Sequence, residues 1–224
     1  MKYDSDVIED IDVKPINLKS DGALLKCATN DRYCLGQSQV VLAAEKFDVT
    51  VPSNTLFKLL PFIKKDFKCG ISSTAIRIKC ADFDVTQNFM QPEKRLIDVD
   101  ANLQLLDKKA AKVSFTIDRE DLIASLGELT SFSGKEEVLE SRVKLVSNRE
   151  KQKICFSVSR GDAGAMRSLV KSEMEKDFNF EVSLYLLNEF VRRIKTKVQL
   201  RYYGDKLLIK DESRSLVMPT LQGS

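Results

Sequence analysis

The sequence predicts an α+β fold made of two tandem copies of one unit, each a sheet with two helices. Two observations carry this. First, the chain matches itself at a fixed offset of 131 positions: Phe47 meets Phe178, Val51 meets Val182, Leu56 meets Leu187 and Ile63 meets Ile194. The match continues as Lys64 meets Lys195, Ile76 meets Leu207, Ile78 meets Ile209 and Lys79 meets Lys210. A fixed-offset match means one supersecondary unit occurring twice. Second, stretches of period-two and helical apolar spacing follow one another in the same order in both halves. Residues 1–90 are read as the first copy, 91–109 as an interdomain linker and 110–224 as the second copy.

The second copy is the clearer one. Lys112 to Ile117 alternates as a strand, and Asp118 then caps a helix running to about Leu129, with Leu122, Ile123, Leu126 and Leu129 on one face. Arg142 to Val146 and Ile154 to Val158 are strands joined by the polar turn Ser147 to Lys153. Met166 to Val170 reads as another strand, reached through the glycine-rich loop Arg160 to Gly164. Phe178 to Val182 alternates again and Leu184 to Ile194 is a helix. Val198 to Tyr203 and Lys206 to Lys210 form a hairpin around Gly204-Asp205, and Leu216 to Met218 is the last strand.

The first copy repeats this order less regularly. Asp4 to Ile11 is a short acidic helix candidate that must stop before Pro15. Leu24 to Ala28 and Arg32 to Leu35 pair around Thr29-Asn30-Asp31, and Phe47 to Val51 is a strand. Ser53 caps a helix to about Lys65, in which Pro61 forces a kink or an early end. Lys68 to Ile71, Ala75 to Cys80 and Phe83 to Gln87 complete the unit. The segment from Met90 to Lys109 reads as an extended linker with an apolar part at Leu103 to Leu106.

Composition removes several function classes. The chain has no histidine. It therefore has no Ser–His or Cys–His dyad and no HExxH zinc site. No GxxxxGK[ST] phosphate loop occurs, and no carboxylates or lysines cluster at a catalytic spacing. The expectation is no enzyme, no catalytic residues, no cofactor and no metal. The five cysteines, Cys27, Cys34, Cys69, Cys80 and Cys155, form no CxxC pair and read as small apolar strand residues in a reducing compartment. No run of 18 apolar residues exists to span a membrane. Residues 1–12 are acidic without an apolar stretch, so they read as no signal peptide, and a cytoplasmic location is expected.

Three stretches carry a resemblance. They are Leu18-Lys-Ser-Asp-Gly-Ala through Arg32-Tyr-Cys, the strand Phe47 to Ser53 echoed by Asp177-Phe-Asn-Phe-Glu-Val before Leu184, and the ending Leu216-Val-Met-Pro-Thr-Leu221. With the tandem unit and the chain length, they resemble the DNA sliding clamps, in layout the two-domain clamps of tailed bacteriophages. The resemblance implies clamp-like domains assembled head to tail into a ring, a homotrimer because two domains per chain must fill a six-domain ring. It implies duplex DNA threading the hole without sequence specificity, and a DNA polymerase and a clamp loader as partners. If the protein is viral, its location is the host-cell cytoplasm.

The charge pattern bears on that expectation. A sliding ring attracts phosphates without reading bases. Lys58, Lys64, Lys65 and Lys68 cluster around the end of the second helix of the first copy, and Arg192, Arg193, Lys195 and Lys197 around that of the second, at matching places. These eight are the candidate DNA-facing residues. The plainer reading is that cations at a helix C-terminus complement its dipole. The first helices are acidic, with Asp118, Glu120, Asp121 and Glu128 in the second copy. The net charge is only +3, so strong DNA affinity is not expected.

The resemblance also implies a pocket for short apolar partner peptides. Its expected walls are Leu103, Leu105 and Leu106 of the linker with Val217, Met218, Pro219 and Leu221, residue types suited to an adaptable pocket. Alternatively, Leu103 and Leu106 pin the linker to the body, and Leu216 to Met218 is core strand. Candidate edges for subunit pairing are Met166 to Lys171, Arg32 to Leu35 and Phe47 to Val51. Two rivals stay open: a monomeric clamp-fold accessory factor for replication or transcription that binds DNA by a basic face, and a tandem-repeat interaction protein with no DNA role.

Overall fold

A computed structural model describes residues 15–30, 34–53, 67–80, 83–89, 98–134 and 140–222. The chain divides into two compact units, Met1–Asp31 with Gln39–Val99 and Arg32–Ser38 with Asp100–Ser224. The expected helix at 4–11, and that at 53–65 beyond Ser53, lie outside the described residues.

In the first unit, β1(Pro15–Ser20) is flanked antiparallel by β2(Leu24–Asn30) and β4(Phe47–Pro52). The β1–β2 turn is set locally. The Asp21 carboxylate accepts hydrogen bonds from the backbone N–H groups of Ala23 at 3.0 Å and Leu24 at 2.8 Å, which hold its pKa below the ordinary aspartate range. Gly22 takes the positive φ of 106° that the turn needs. A separate sheet joins β5(Lys68–Ile71), β6(Ala75–Lys79) and β7(Asp84–Asn88) in that order, with β7 at one edge. Ile16, Val51, Ile76 and Ile78 form the core, supported by Leu18, Cys27 and Ile71.

The second unit holds most of the apolar residues. One sheet runs β15(Arg214–Pro219), β14(Lys206–Lys210), β13(Val198–Tyr202), β8(Val113–Ile117). The other runs β11(Ala165–Lys171), β10(Lys153–Ser159), β9(Arg142–Asn148), β12(Asn179–Ser183), β16(Leu221–Gln222). Two helices lie against their inner faces. Helix α2(Arg119–Ser133) is capped by Asp118, whose carboxylate accepts from the Glu120 N–H at 3.0 Å. Helix α3(Leu184–Arg193) is capped by Ser183, whose hydroxyl accepts from the Leu186 N–H at 3.3 Å. Each strand sends alternate residues inward: Leu207 and Ile209, Leu145 and Phe156, Phe180 and Val182 share one core with Leu122, Leu126, Leu187 and Val191. Phe115, Phe178, Phe180 and Tyr202 stack in series with centroids 4.3–5.2 Å apart, tying β8, β12 and β13 together.

The pairing shows the repeat directly. Val51 of β4 lies opposite Ile16 of β1, as Val182 of β12 lies opposite Val143 of β9. The shift is 131 from Val51 to Val182 but 127 from Ile16 to Val143. The ungapped register therefore describes β4 to β7 against β12 to β15, and the difference accumulates in the turns before them.

Several expectations change. The segment read as extended linker contains helix α1(Val99–Lys108), with Val99, Leu103 and Leu106 buried at helical spacing. Strand β1 and the short β16 are additions to the elements expected from the sequence pattern. The strand expected at Arg32 to Leu35 is instead β3(Leu35–Val41), and its first four residues pair antiparallel with β15. Lys68 begins strand β5 and is not part of a helix end. The five cysteines are free thiols; burial raises the pKa of Cys27 and also of Cys69, although Cys69 is the exposed one of the five.

Candidate functional site

Helices α2 and α3 pack on each other, with the start of α2 beside the end of α3. Arg119 marks this contact: its guanidinium donates to the carbonyls of Ile194 and Arg192, which α3 leaves without helical partners, and it pairs with Glu120. Around this end lie Arg192, Arg193, Lys195 and Lys197, all exposed. Arg193 reaches Glu189 at 3.4 Å one turn back, a surface pair of little energetic weight. The four candidate cations of the second unit therefore form one exposed basic cluster. Lys58, Lys64 and Lys65 lie outside the described residues. Lys68 is exposed on a strand.

The solvent face of α2 differs in sign. Glu120, Asp121, Ala124, Glu128 and Ser131 are its exposed residues. Of the two helices, α3 carries the cations at its end and α2 presents carboxylates to solvent. Lys197 also borders a groove of ≈ 1050 Å³ with Lys151, Lys153 and Lys171, but Asp118, Glu173 and Glu175 share its walls, so the groove does not select one sign of charge. Among the described residues no group of three or more cysteine, aspartate or glutamate side chains is placed to hold a metal.

The expected peptide pocket is divided by burial. Leu103, Leu106 and Val217 are buried, Met218 is fully buried, and Leu105, Pro219 and Leu221 are exposed. Met218 belongs to the main core with Leu207 and Leu216, on the helix side of the sheet. It is closed to a peptide in this structure. The opposite face of the same sheet carries Leu208, Val217, Arg201 and Lys210. Helix α1 is held there: Asp107 accepts from both Arg201 and Lys210 at 2.7 Å, the Tyr203 hydroxyl donates to the Leu106 carbonyl at 2.8 Å, and Asp100 accepts from Gln37 at 2.5 Å. Leu103 and Leu106 thus pin α1 to the body. Sequence reading missed Arg201, Lys210 and Tyr203; their alternation with the core residues Leu200, Tyr202 and Ile209 was the available signal.

No protein-family model and no curated protein matches the chain. Solved structures do. The DNA polymerase sliding clamp from Bacillus subtilis superimposes with a TM-score of 0.78 at 14% identity, covering 95% of this chain and 57% of that one. The chain has the sliding-clamp fold. The DNA polymerase III beta chain from Streptococcus pneumoniae matches with a TM-score of 0.74 at 15% identity over 99% of this chain and 60% of its own. A sliding clamp from Pseudomonas aeruginosa bound to griselimycin matches with a TM-score of 0.73 at 12% identity over 93% of this chain and 57% of its own. The likeness to these clamps covers both units, and this chain spans 57 to 60% of their lengths. Among the described residues, no helix of this clamp-fold chain is long and apolar enough to cross a membrane.

Proposed function

We propose that this protein is a DNA sliding clamp: a homotrimeric ring that encircles duplex DNA, tethers a DNA polymerase and is placed on DNA by a clamp loader, in the cytoplasm of the cell where that DNA is copied. The observation that carries the reading is how β15 meets its neighbour. Its open edge is filled antiparallel by Leu35–Ser38 of β3. By the internal repeat, β7 corresponds to β15 and β11 corresponds to β3. Both β7 and β11 are the end strands of their sheets. A second copy that placed its β11 on β7 would reproduce between chains the pairing already made within one. Such a contact joins two different surfaces and propagates head to tail until it closes. Two units per chain complete a six-domain ring with three chains, and the assembly performs no chemistry.

DNA contact falls to Arg192, Arg193, Lys195 and Lys197 and their counterparts in the first unit. Polymerase segments engage the exposed apolar side chains Leu105, Pro219 and Leu221, framed by the buried residues beside them. The rival, a monomeric factor gripping DNA by affinity, requires a basic face, and the acidic exposed side of α2 counts against it. Light scattering over a concentration series tests the choice. The expected mass is about 76 kDa, three times 25.4 kDa, or a rise toward it with concentration. A constant 25.4 kDa at all concentrations overturns the ring and leaves the monomeric factor.

A further inference from the structure

The outer face of the five-stranded sheet has a composition of its own. Inward residues of β9 to β12 are covered by α2 and α3. The outward residues form rows across the strands. Leu169 of β11, Cys155 of β10 and Val146 of β9 lie directly opposite one another in register. Leu169 is 65% exposed and Val146 37% exposed, and Cys155 between them is half-buried. On one side this apolar row is bordered by Arg167, Ser157 and Lys144, and on the other by Lys171 and Lys153. Lys153 and Lys171 face each other directly, an arrangement that opposes folding because like charges sit side by side. Among the described residues of the four strands β9 to β12, Glu181 is the one carboxylate facing outward. Among the described residues no element lies over this face.

The first unit does not repeat the pattern. There the corresponding row carries Lys19 opposite both Asp48 and Lys26, and the next carries Asn17 opposite Thr50 and Ala28. The apolar row is therefore not a requirement of the fold.

The same unit shows what such a face binds. On the neighbouring sheet, the outward row Arg201–Leu208–Val217 has the same composition, apolar residues bordered by cations, with Lys210 beside it. That row is occupied by α1, which seats Leu103 and Leu106 and places Asp107 between Arg201 and Lys210. The occupant is thus an amphipathic helix with leucines on one side and a carboxylate at the margin. We propose that the Leu169–Cys155–Val146 face is a docking surface for an acidic, leucine-bearing amphipathic helix of a partner protein. Leu221 of β16, opposite Glu181, marks the far edge of this sheet, and the Leu169–Cys155–Val146 row stays outward whether or not β11 is paired. Charge complementarity selects the acid: Lys144 already faces Glu181 across the strands, and a helix carrying glutamates along its flanks neutralises the remaining Arg167, Lys153 and Lys171 as Asp107 does Arg201 and Lys210. The apolar row selects protein over nucleic acid, because a phosphate backbone gains nothing from Leu169 or Val146.

The test uses the full-length protein and a labelled synthetic helix of about 20 residues, with leucines at i, i+3, i+4 and i+7 and glutamates on both flanks. Anisotropy titration is expected to show saturable binding. Replacing the probe's leucines with serine should weaken it at least tenfold, and so should Leu169→Asp with Val146→Asp, or Arg167→Glu with Lys171→Glu, in the protein. Leu105→Ala should leave it unchanged. Melting temperatures certify the fold, and Leu169→Ser supplies a milder variant if the aspartates destabilise the sheet. No saturable binding overturns the proposal. So does equal affinity for the serine probe, or full displacement by an unlabelled duplex of about 20 base pairs, either of which would make the face a simple polyanion attractor.

Discussion

Met218 and Ser125 illustrate how little a residue's type says about its role. Methionine beside proline near a chain ending suits a peptide pocket, yet Met218 is fully buried in the main core. The period of two decides it: Leu216 and Met218 face the helices and Val217 faces the other way. That alternation was present in the sequence, and the pocket reading passed over it. Truncating Met218 to alanine leaves a cavity and is expected to cost about 2–5 kcal/mol. Ser125 of α2 is the reverse case. Among the described residues its hydroxyl is buried with no hydrogen-bond partner, as is the Asn188 side-chain oxygen of α3. Ser125→Ala removes an unpaired polar atom and creates none, so stability should hold or rise by up to about 1 kcal/mol. Denaturant midpoints measure both. A loss of more than about 1 kcal/mol in Ser125→Ala would show that the hydroxyl has a partner after all. The exposed cations at the α3 end were legible at this scale, because Arg192 and Arg193 fall in the last turn of a helix with a clear cap and period.

Elements with strong local signals were readable, and those held by distant partners were not. Strands β12 to β15 and helices α2 and α3 follow their patterns closely, because one core reads each pattern from one side. Helix α1 escaped for a physical reason. Its buried residues Val99, Leu103 and Leu106 have helical spacing, but Leu105 interrupts the polar side and the stretch is only ten residues long. A helix that short is marginal alone and forms because the sheet beneath it supplies partners. Strand β1 escaped similarly: Pro15 looks like a terminator, whereas at the first position of a strand it costs little. Asp107 should therefore control α1 out of proportion to its exposure. Asp107→Ala strands Arg201 and Lys210, both about a quarter exposed, beside an apolar surface. Partial solvent screening keeps the expected cost near ~1 kcal/mol. Hydrogen exchange is the sensitive readout: amides of α1 should lose protection while those of α2 and α3 keep theirs. Equal loss in all three helices would mean that α1 is part of the global unit and not a separately latched element.

At the scale of the whole chain, charge and repeat bear on the proposed ring. With a net charge of +3 and an acidic α2, the chain is a poor candidate for tight electrostatic binding. A ring has no need of it, because enclosure keeps the duplex by topology and weak binding leaves it free to move along the axis. The repeat explains why the fold was legible in the sequence while the site was only partly so. Core positions of β4 and β6 recur at the 131 offset in β12 and β14, since the same strand faces are buried in both units. The outward faces diverge instead: Leu208 and Val217 fall where the first unit has Arg77 and Thr86, with Arg77 paired to Asp84 at 2.5 Å. One unit thus carries an apolar seat for α1, and the other a polar surface. The expected signature is weak, strongly salt-dependent affinity for linear duplex, with a small number of neutralised phosphates. Replacing Arg192, Arg193 and Lys195 with alanine should flatten the dependence of log K on log salt by about one for each phosphate that the variant no longer neutralises. The scattering mass should not change, since none of the three lies on β7 or β11. An unchanged salt slope would move the DNA-binding surface away from the α3 end, and a fall in mass would place these cations between copies of the chain.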